Sequence, residues 1–140
     1  MHQIVFVVAS DIVESMQIDE NPTDSFPCMS TREFHRDARA QLYSLVTGEF
    51  LDEAIQMELL DRVFTDDGPY IYRMADPLKE ALARLEEDQV EDLSKLWMQC
   101  DEIERLNLDE SDLHDFMYQL IHYCQVAVND DLCVCIYSDD

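Results

Sequence analysis

The chain has 140 residues, 47% of them hydrophobic, and carries 32 acidic against 9 basic side chains for a formal charge of −23. That length suits one hydrophobic core rather than two, and such a field excludes direct binding of DNA or RNA and opposes attachment to an anionic membrane. The acidity is not a tail, because residues 1–70 hold 14 acids and 4 bases while residues 71–140 hold 18 and 5.

Ile4 to Val8 is a continuous β-branched and aromatic run, which predicts a short strand covered on both faces. Ser10 or Asp11 then starts a brief helix through Met16. From Asp19 to Ser30 two prolines and several turn formers lack any periodicity, so this stretch reads as a loop. Ser30 with Glu33 forms a capping box, and the stripe Phe34, Ala38, Leu42, Leu45 and Val46 predicts a helix ending at Gly48. A second helix is expected from about Leu51 to Phe64, with Ile55, Leu59 and Val63 inward and Glu58 placed to pair with Arg62.

Asp66-Asp67-Gly68-Pro69 is a turn signal, and the alternating YIYRM after it predicts a strand. Asp76-Pro77 opens a helix that buries Leu78, Ala81, Leu82 and Leu85 and stops near Asp88. Asp88 with Glu91 starts the next, whose stripe of Val90, Leu93, Leu96, Trp97, Cys100 and Ile103 runs to about Leu106. Asp109 caps a last helix that turns Leu113, Phe116, Met117, Leu120, Cys124 and Ala127 inward. After the turn at Asn129-Asp130-Asp131, the unbroken apolar run from Leu132 to Tyr137 suits a central strand. The expected fold is a single α+β domain, with a small sheet of about three strands packed against about four or five amphipathic helices.

Three patches resemble the YfbM-like family of small bacterial proteins: the helix end Leu42-Tyr43-Ser44-Leu45-Val46-Thr47-Gly48, Tyr72-Arg73-Met74 leading into Asp76-Pro77, and the pattern Phe116, Cys124, Ala127 before the last strand. That family's Trp and His ahead of the Thr-Gly are absent from this chain. Because the family has no established activity, the resemblance implies a fold more than a function.

No stretch carries a chemistry-specific motif. Phosphate-cradling loops need several glycines, and the chain has only Gly48 and Gly68; neither the hydrolase Ser elbow nor the paired His of zinc proteases occurs. Five cysteines are an odd number, and MHQIVFVVAS lacks the basic region and long apolar core of a signal peptide, so free thiols in a reducing cytoplasm are expected. Cys133 and Cys135 share one face of the last strand, where two cysteines are ordinary core residues before they are metal ligands. No catalytic residue, metal site or cofactor is assigned. His114, Tyr118 and His122 lie four apart along the outer flank of the last helix, a minor candidate site that reads first as a solvated stripe.

Glu80 with Arg84, Glu91 with Lys95 and Asp101 with Arg105 are helical pairs. Left without cations are Glu86, Glu87, Asp88, Asp92, Glu102, Glu104, Asp109, Glu110, Asp112 and Asp115, and this patch is the main candidate site. Arg32, Arg36 and Arg39 form the local basic cluster, which pairs with the protein's own acids or a second copy. The leading expectation is a non-enzymatic acidic module of inhibitor or immunity type, docking on a basic protein partner. One alternative is a small-molecule or metal-binding enzyme with its site in the Asp19–Ser30 loop or beside His114 and His122. Another is an oligomeric structural subunit joined through Tyr70, Tyr72 and Trp97. A merely solvated acidic surface is the plainer reading of the same charge.

Overall fold

The structure is a computed structural model that describes residues 3–17, 26–31 and 34–138. Five strands form one antiparallel sheet in the order β2-β1-β5-β4-β3. They are β1 (Gln3–Val8), β2 (Cys28–Ser30), β3 (Glu58–Val63), β4 (Tyr70–Met74) and β5 (Cys133–Ser138). Among the described residues there are seven helices: α1 (Ser10–Ser15), α2 (Arg36–Thr47), α3 (Leu51–Ile55), α4 (Asp76–Ala83), α5 (Glu87–Met98), α6 (Asp101–Leu106) and α7 (Glu110–Asp130). The α+β class is as expected, but among the described residues the sheet has five strands, not about three, and the helices number seven rather than four or five.

β1 and β5 are the apolar runs without a polar break, and they pair with each other over their full length, Gln3 opposite Ser138 and Val8 opposite Cys133. Both lie inside the sheet, which is why every residue of β1 is buried. Alternation sends Val5, Val7, Val134, Ile136 and Met74 to a large core, together with the inward residues of α2, α4, α5, α6 and α7. Ile4, Phe6, Val8, Cys135 and Ile71 face the other way, where Val13 and Met16 of the α1 region cover them.

The long helix α7 has the predicted inner face, with Leu113, Phe116, Met117, Leu120, Cys124 and Ala127 buried. Asp131, at φ 56°, closes it in the left-handed conformation that Asn and Asp tolerate. Trp97 is fully buried between α2, α5 and α7: its ring lies 5.2 Å from Phe34 and 6.1 Å from Phe116, and its Nε1 donates to Ala38 O at 2.9 Å. A buried indole with its N–H satisfied serves the core, so Trp97 does not stand on the surface as the oligomeric alternative expects.

Four local expectations are corrected. Ser30 belongs to strand β2, opposite Ile4, and α2 starts instead after His35, whose Nδ1 accepts from Ala38 N; Glu33 lies outside the described residues. The expected helix from Leu51 to Phe64 stops at Ile55, and Glu58–Val63 pairs with β4 as a hairpin whose register shifts between Leu60 and Arg62. Leu59 and Val63 are therefore about half exposed, not inward. The α4 helix ends at Ala83 rather than near Asp88, and α5 begins after Glu86, whose N–H donates to Gln89 Oε1 at 2.9 Å. The helix expected over 88–106 breaks after Met98 into α5 and α6, and this leaves Leu96 half exposed while Ser94 is buried.

Candidate functional site

Glu58 is 1% exposed and Arg39 is fully buried. Arg39 Nε and Nη2 clamp the Glu58 carboxylate at 2.7 and 2.8 Å, and its Nη1 donates to Gln3 Oε1 at 2.8 Å and to Phe34 O at 2.7 Å. The Tyr43 hydroxyl donates to Glu58 Oε2 at 2.5 Å. Burial by itself would raise the Glu58 pKa, but Arg39, Tyr43 and Arg36 outweigh it and hold the carboxyl below its ordinary value. Burial and then Glu58 drive the Tyr43 phenol well above its usual range, so it stays neutral. The expected pair of Glu58 with Arg62 does not form. Arg62 donates instead to Val13 O, Glu14 O and Met16 O, closing the C-terminal end of α1.

Three further cations are engaged in the same inward manner. Arg36 Nη2 donates to Ile55 O and Glu58 O, Arg73 pairs with Asp61 at 2.9 Å, and Lys79 Nζ donates to Leu132 O while lying 3.3 Å from Asp76. Of the eight bases among the described residues, only Arg84, Lys95 and Arg105 are exposed. Arg105 pairs with Glu102, not Asp101, and neither Glu80 with Arg84 nor Glu91 with Lys95 forms an ion pair.

Of the ten acids nominated from sequence, Glu86, Glu87, Asp88, Asp92, Glu104, Asp109, Glu110 and Asp115 are exposed, and Asp112 is half-buried. Glu102 leaves the unneutralised set, because its Oε2 lies 3.4 Å from His35 Nε2 and its Oε1 3.2 Å from Arg105. Glu110 Oε1 lies 3.8 Å from His114 Nε2, and the rest divide into two groups, with Asp92 one turn further along α5 from the first and Asp115 one turn further along α7 from the second. Glu86, Glu87 and Asp88 stand at the start of α5, whereas Glu104 to Asp112 flank the turn between α6 and α7. His114 Nε2 lies 2.8 Å from Ser94 Oγ and sets the second group beside the middle of α5, about 10 Å of helix from Glu87. Since Ser94 gives its proton to Glu91 O at 2.8 Å, the His114 Nε2–H is the donor to Ser94. Part of each acidic group is structural, because carboxylates in a first helical turn meet the positive end of the helix dipole.

Tyr118 and His122, nominated with His114, line a cavity of about 480 Å³ between α7 and β2, together with Met29, Gln119 and Tyr123. His114 does not line it and contacts Tyr118 only edge-on, with ring centroids 6.5 Å apart. Asp115, Gln119 and His122 follow at helical steps on one exposed side of α7, so the acidic end of that helix continues into this cavity. The Tyr123 hydroxyl donates to Cys28 O at 2.9 Å and closes its floor.

Burial pushes the Cys124 and Cys135 thiols up to about 12, so neither supplies a thiolate nucleophile at neutral pH. The five cysteines are unbridged. Among the described residues no group of three His, Cys, Asp or Glu side chains is placed to hold a metal ion, and no helix is long and apolar enough to cross a membrane. The Asp19–Ser30 loop, nominated as an alternative site, falls largely outside the described residues, as does Arg32.

Sequence reasoning missed the Arg39–Glu58–Tyr43 cluster. Its signal was present in the spacing, since Arg39 and Tyr43 stand four apart on the flank of the apolar stripe of α2. No family model matches the chain, no curated protein is significantly similar to it, and no solved structure matches its fold.

Proposed function

We propose that the protein is a non-enzymatic interaction module whose acidic face docks on a basic protein surface, in the manner of an inhibitor or immunity protein. One observation carries the reading: five of the eight described bases are turned inward onto backbone carbonyls and buried or local carboxylates, while most acids at the ends of α5, α6 and α7 are exposed without a basic partner, Glu102 and Glu110, the latter 3.8 Å from His114 Nε2, being the exceptions. Such a surface repels itself and nucleic acid alike, and it steers a basic partner into encounter at a rate that salt suppresses. Kinship with the YfbM-like family is proposed on the sequence patches alone and adds no activity.

The test uses a fourfold variant, Glu86→Lys, Glu87→Lys, Asp92→Lys and Glu104→Lys, which avoids the paired Glu102. Wild type and variant serve as baits in a lysate of the source cells. A basic protein held by the wild type and lost by the variant is the expected result, with association at least about tenfold slower for the variant at low salt and the difference shrinking toward about 1 M. Identical captures by both baits would reduce the charge to a solvation feature.

A further inference from the structure

A separate cavity of about 290 Å³ opens at the end of the sheet where α2 begins; Gln3 and Ser138 line it together with His35, Arg36, Asp37, Tyr70 and Tyr72, and the His35 imidazole is turned to Glu102 at 3.4 Å. Its inner wall is built around Arg36. The guanidinium is held by Ile55 O and Glu58 O, both at 3.0 Å, and its carbon lies 4.9 Å from the centroid of the Tyr72 ring. Its Nε is buried without a hydrogen-bond partner, 4.0 Å from Glu58 Oε1. The Glu58 carboxylate is already clamped by Arg39 and Tyr43, so two guanidinium groups share one carboxylate and a positive charge is left over. In a molecule of formal charge −23 this is an exceptional place.

Asp37 stands exposed on the same cavity and has no ion-pair partner among the described residues. A fixed cation inside and a carboxylate beside it thus sit within one small volume, with two tyrosines along the wall. We propose that this cavity binds a small α-amino acid as its zwitterion, the carboxylate toward Arg36 and the ammonium toward Asp37. The molecule's overall field selects in the same direction: it repels a net anion such as phosphate, whereas a zwitterion has no net charge to repel. A volume at the lower end of ordinary ligand cavities restricts the occupant to a short side chain. Gln3 Nε2 donates to Ser138 Oγ at 3.3 Å, which leaves the serine proton to donate to the bound carboxylate. The site touches the nominated acids only through His35, which lines it and lies 3.4 Å from Glu102, and it does not depend on docking at the acidic face.

Titration calorimetry with glycine, alanine and serine, beside propionate and ethylamine as half-ligands, tests the assignment. At least one of the three amino acids is expected to bind saturably with Kd below about 1 mM, and each half-ligand at least about tenfold more weakly, since each forfeits one charge-assisted contact. Asp37→Asn, an exposed change that leaves the Arg36 contacts intact, should cost the amino acid about tenfold while propionate is unaffected. Amide shifts on binding should centre on Arg36, Tyr70 and Tyr72. Absence of binding at about 10 mM, propionate binding as tightly as alanine, indifference to Asp37→Asn, or shifts centred elsewhere would each overturn it.

Discussion

Glu58 and Glu87 are the same residue type in opposite circumstances. Glu58 is 1% exposed and every one of its contacts is to a donor or a cation, whereas Glu87 stands in solvent at the start of α5 with no basic partner. The difference lies in what the backbone brings. Helix α2 delivers Arg39 and Tyr43 from one inward flank to the strand that carries Glu58, and nothing delivers a base to Glu87. With so few cations, a fold that engages most of them internally leaves its acids to the surface by subtraction.

The comparison breaks most severely at Arg39. Arg39→Met leaves the buried Glu58 carboxylate with only the Tyr43 hydroxyl and the Arg36 guanidinium 4.0 Å away, and the expected loss in urea unfolding is about 3 kcal/mol or more. Restoring neutrality with the double change Arg39→Met and Glu58→Gln should recover a large part of that loss; no recovery would mean that packing, not charge, dominates the site. Leu120→Ala, in the fully buried face of α7, should cost about 2–5 kcal/mol. Leu93→Ala should cost distinctly less, on the order of 1 kcal/mol, because Leu93 is only half-buried.

Acid sharpens the contrast without any mutation. Because the folded Glu58 pKa is lowered from its ordinary 4.5, its contribution to stability is complete above that value and is lost as the pH falls through the lowered one. Wild type should therefore show a falling urea midpoint on acidification below about pH 4.5, and Glu58→Gln should flatten that slope. The smallest effect belongs to Glu87→Lys, which should move unfolding by no more than about 0.5 kcal/mol, in either direction. A large loss there would show that Glu87 has a structural partner after all.

Much of the fold was legible where one signal stood alone. The unbroken apolar runs of β1 and β5 and the three- and four-residue spacing of α7 admitted a single reading, and the structure follows it. The segment Leu51–Phe64 did not, because Ile55, Leu59 and Val63 fall at helical steps by coincidence. Pairing with β4 and the capture of Glu58 by Arg39 override that local preference, and both partners are remote in sequence. Strand β2 was hidden because its three residues directly follow Pro27 and are defined only by pairing with β1. The exposure of most nominated acids could be read from the excess of charge. The engagement of Glu102 could not, since His35 reaches it from another helix.

The place of β5 has a consequence for how the chain acquires its shape. β1 pairs with β2 on one side and β3 pairs with β4 on the other, and β5, last of the five in chain order, is the only strand that touches both pairs. Without residues 133–138 no strand pairing links β2-β1 to β4-β3, and the edges of β1 and β4 that β5 covers are left unpaired. During synthesis the order of events is inverted relative to the chain: the first strand made waits for the last, across contacts such as Gln3 to Ser138 that span 135 residues. A ribosome-stalled chain ending before Cys133 should accordingly resist protease in neither half, and protection should arrive in a single step once β5 has cleared the exit tunnel.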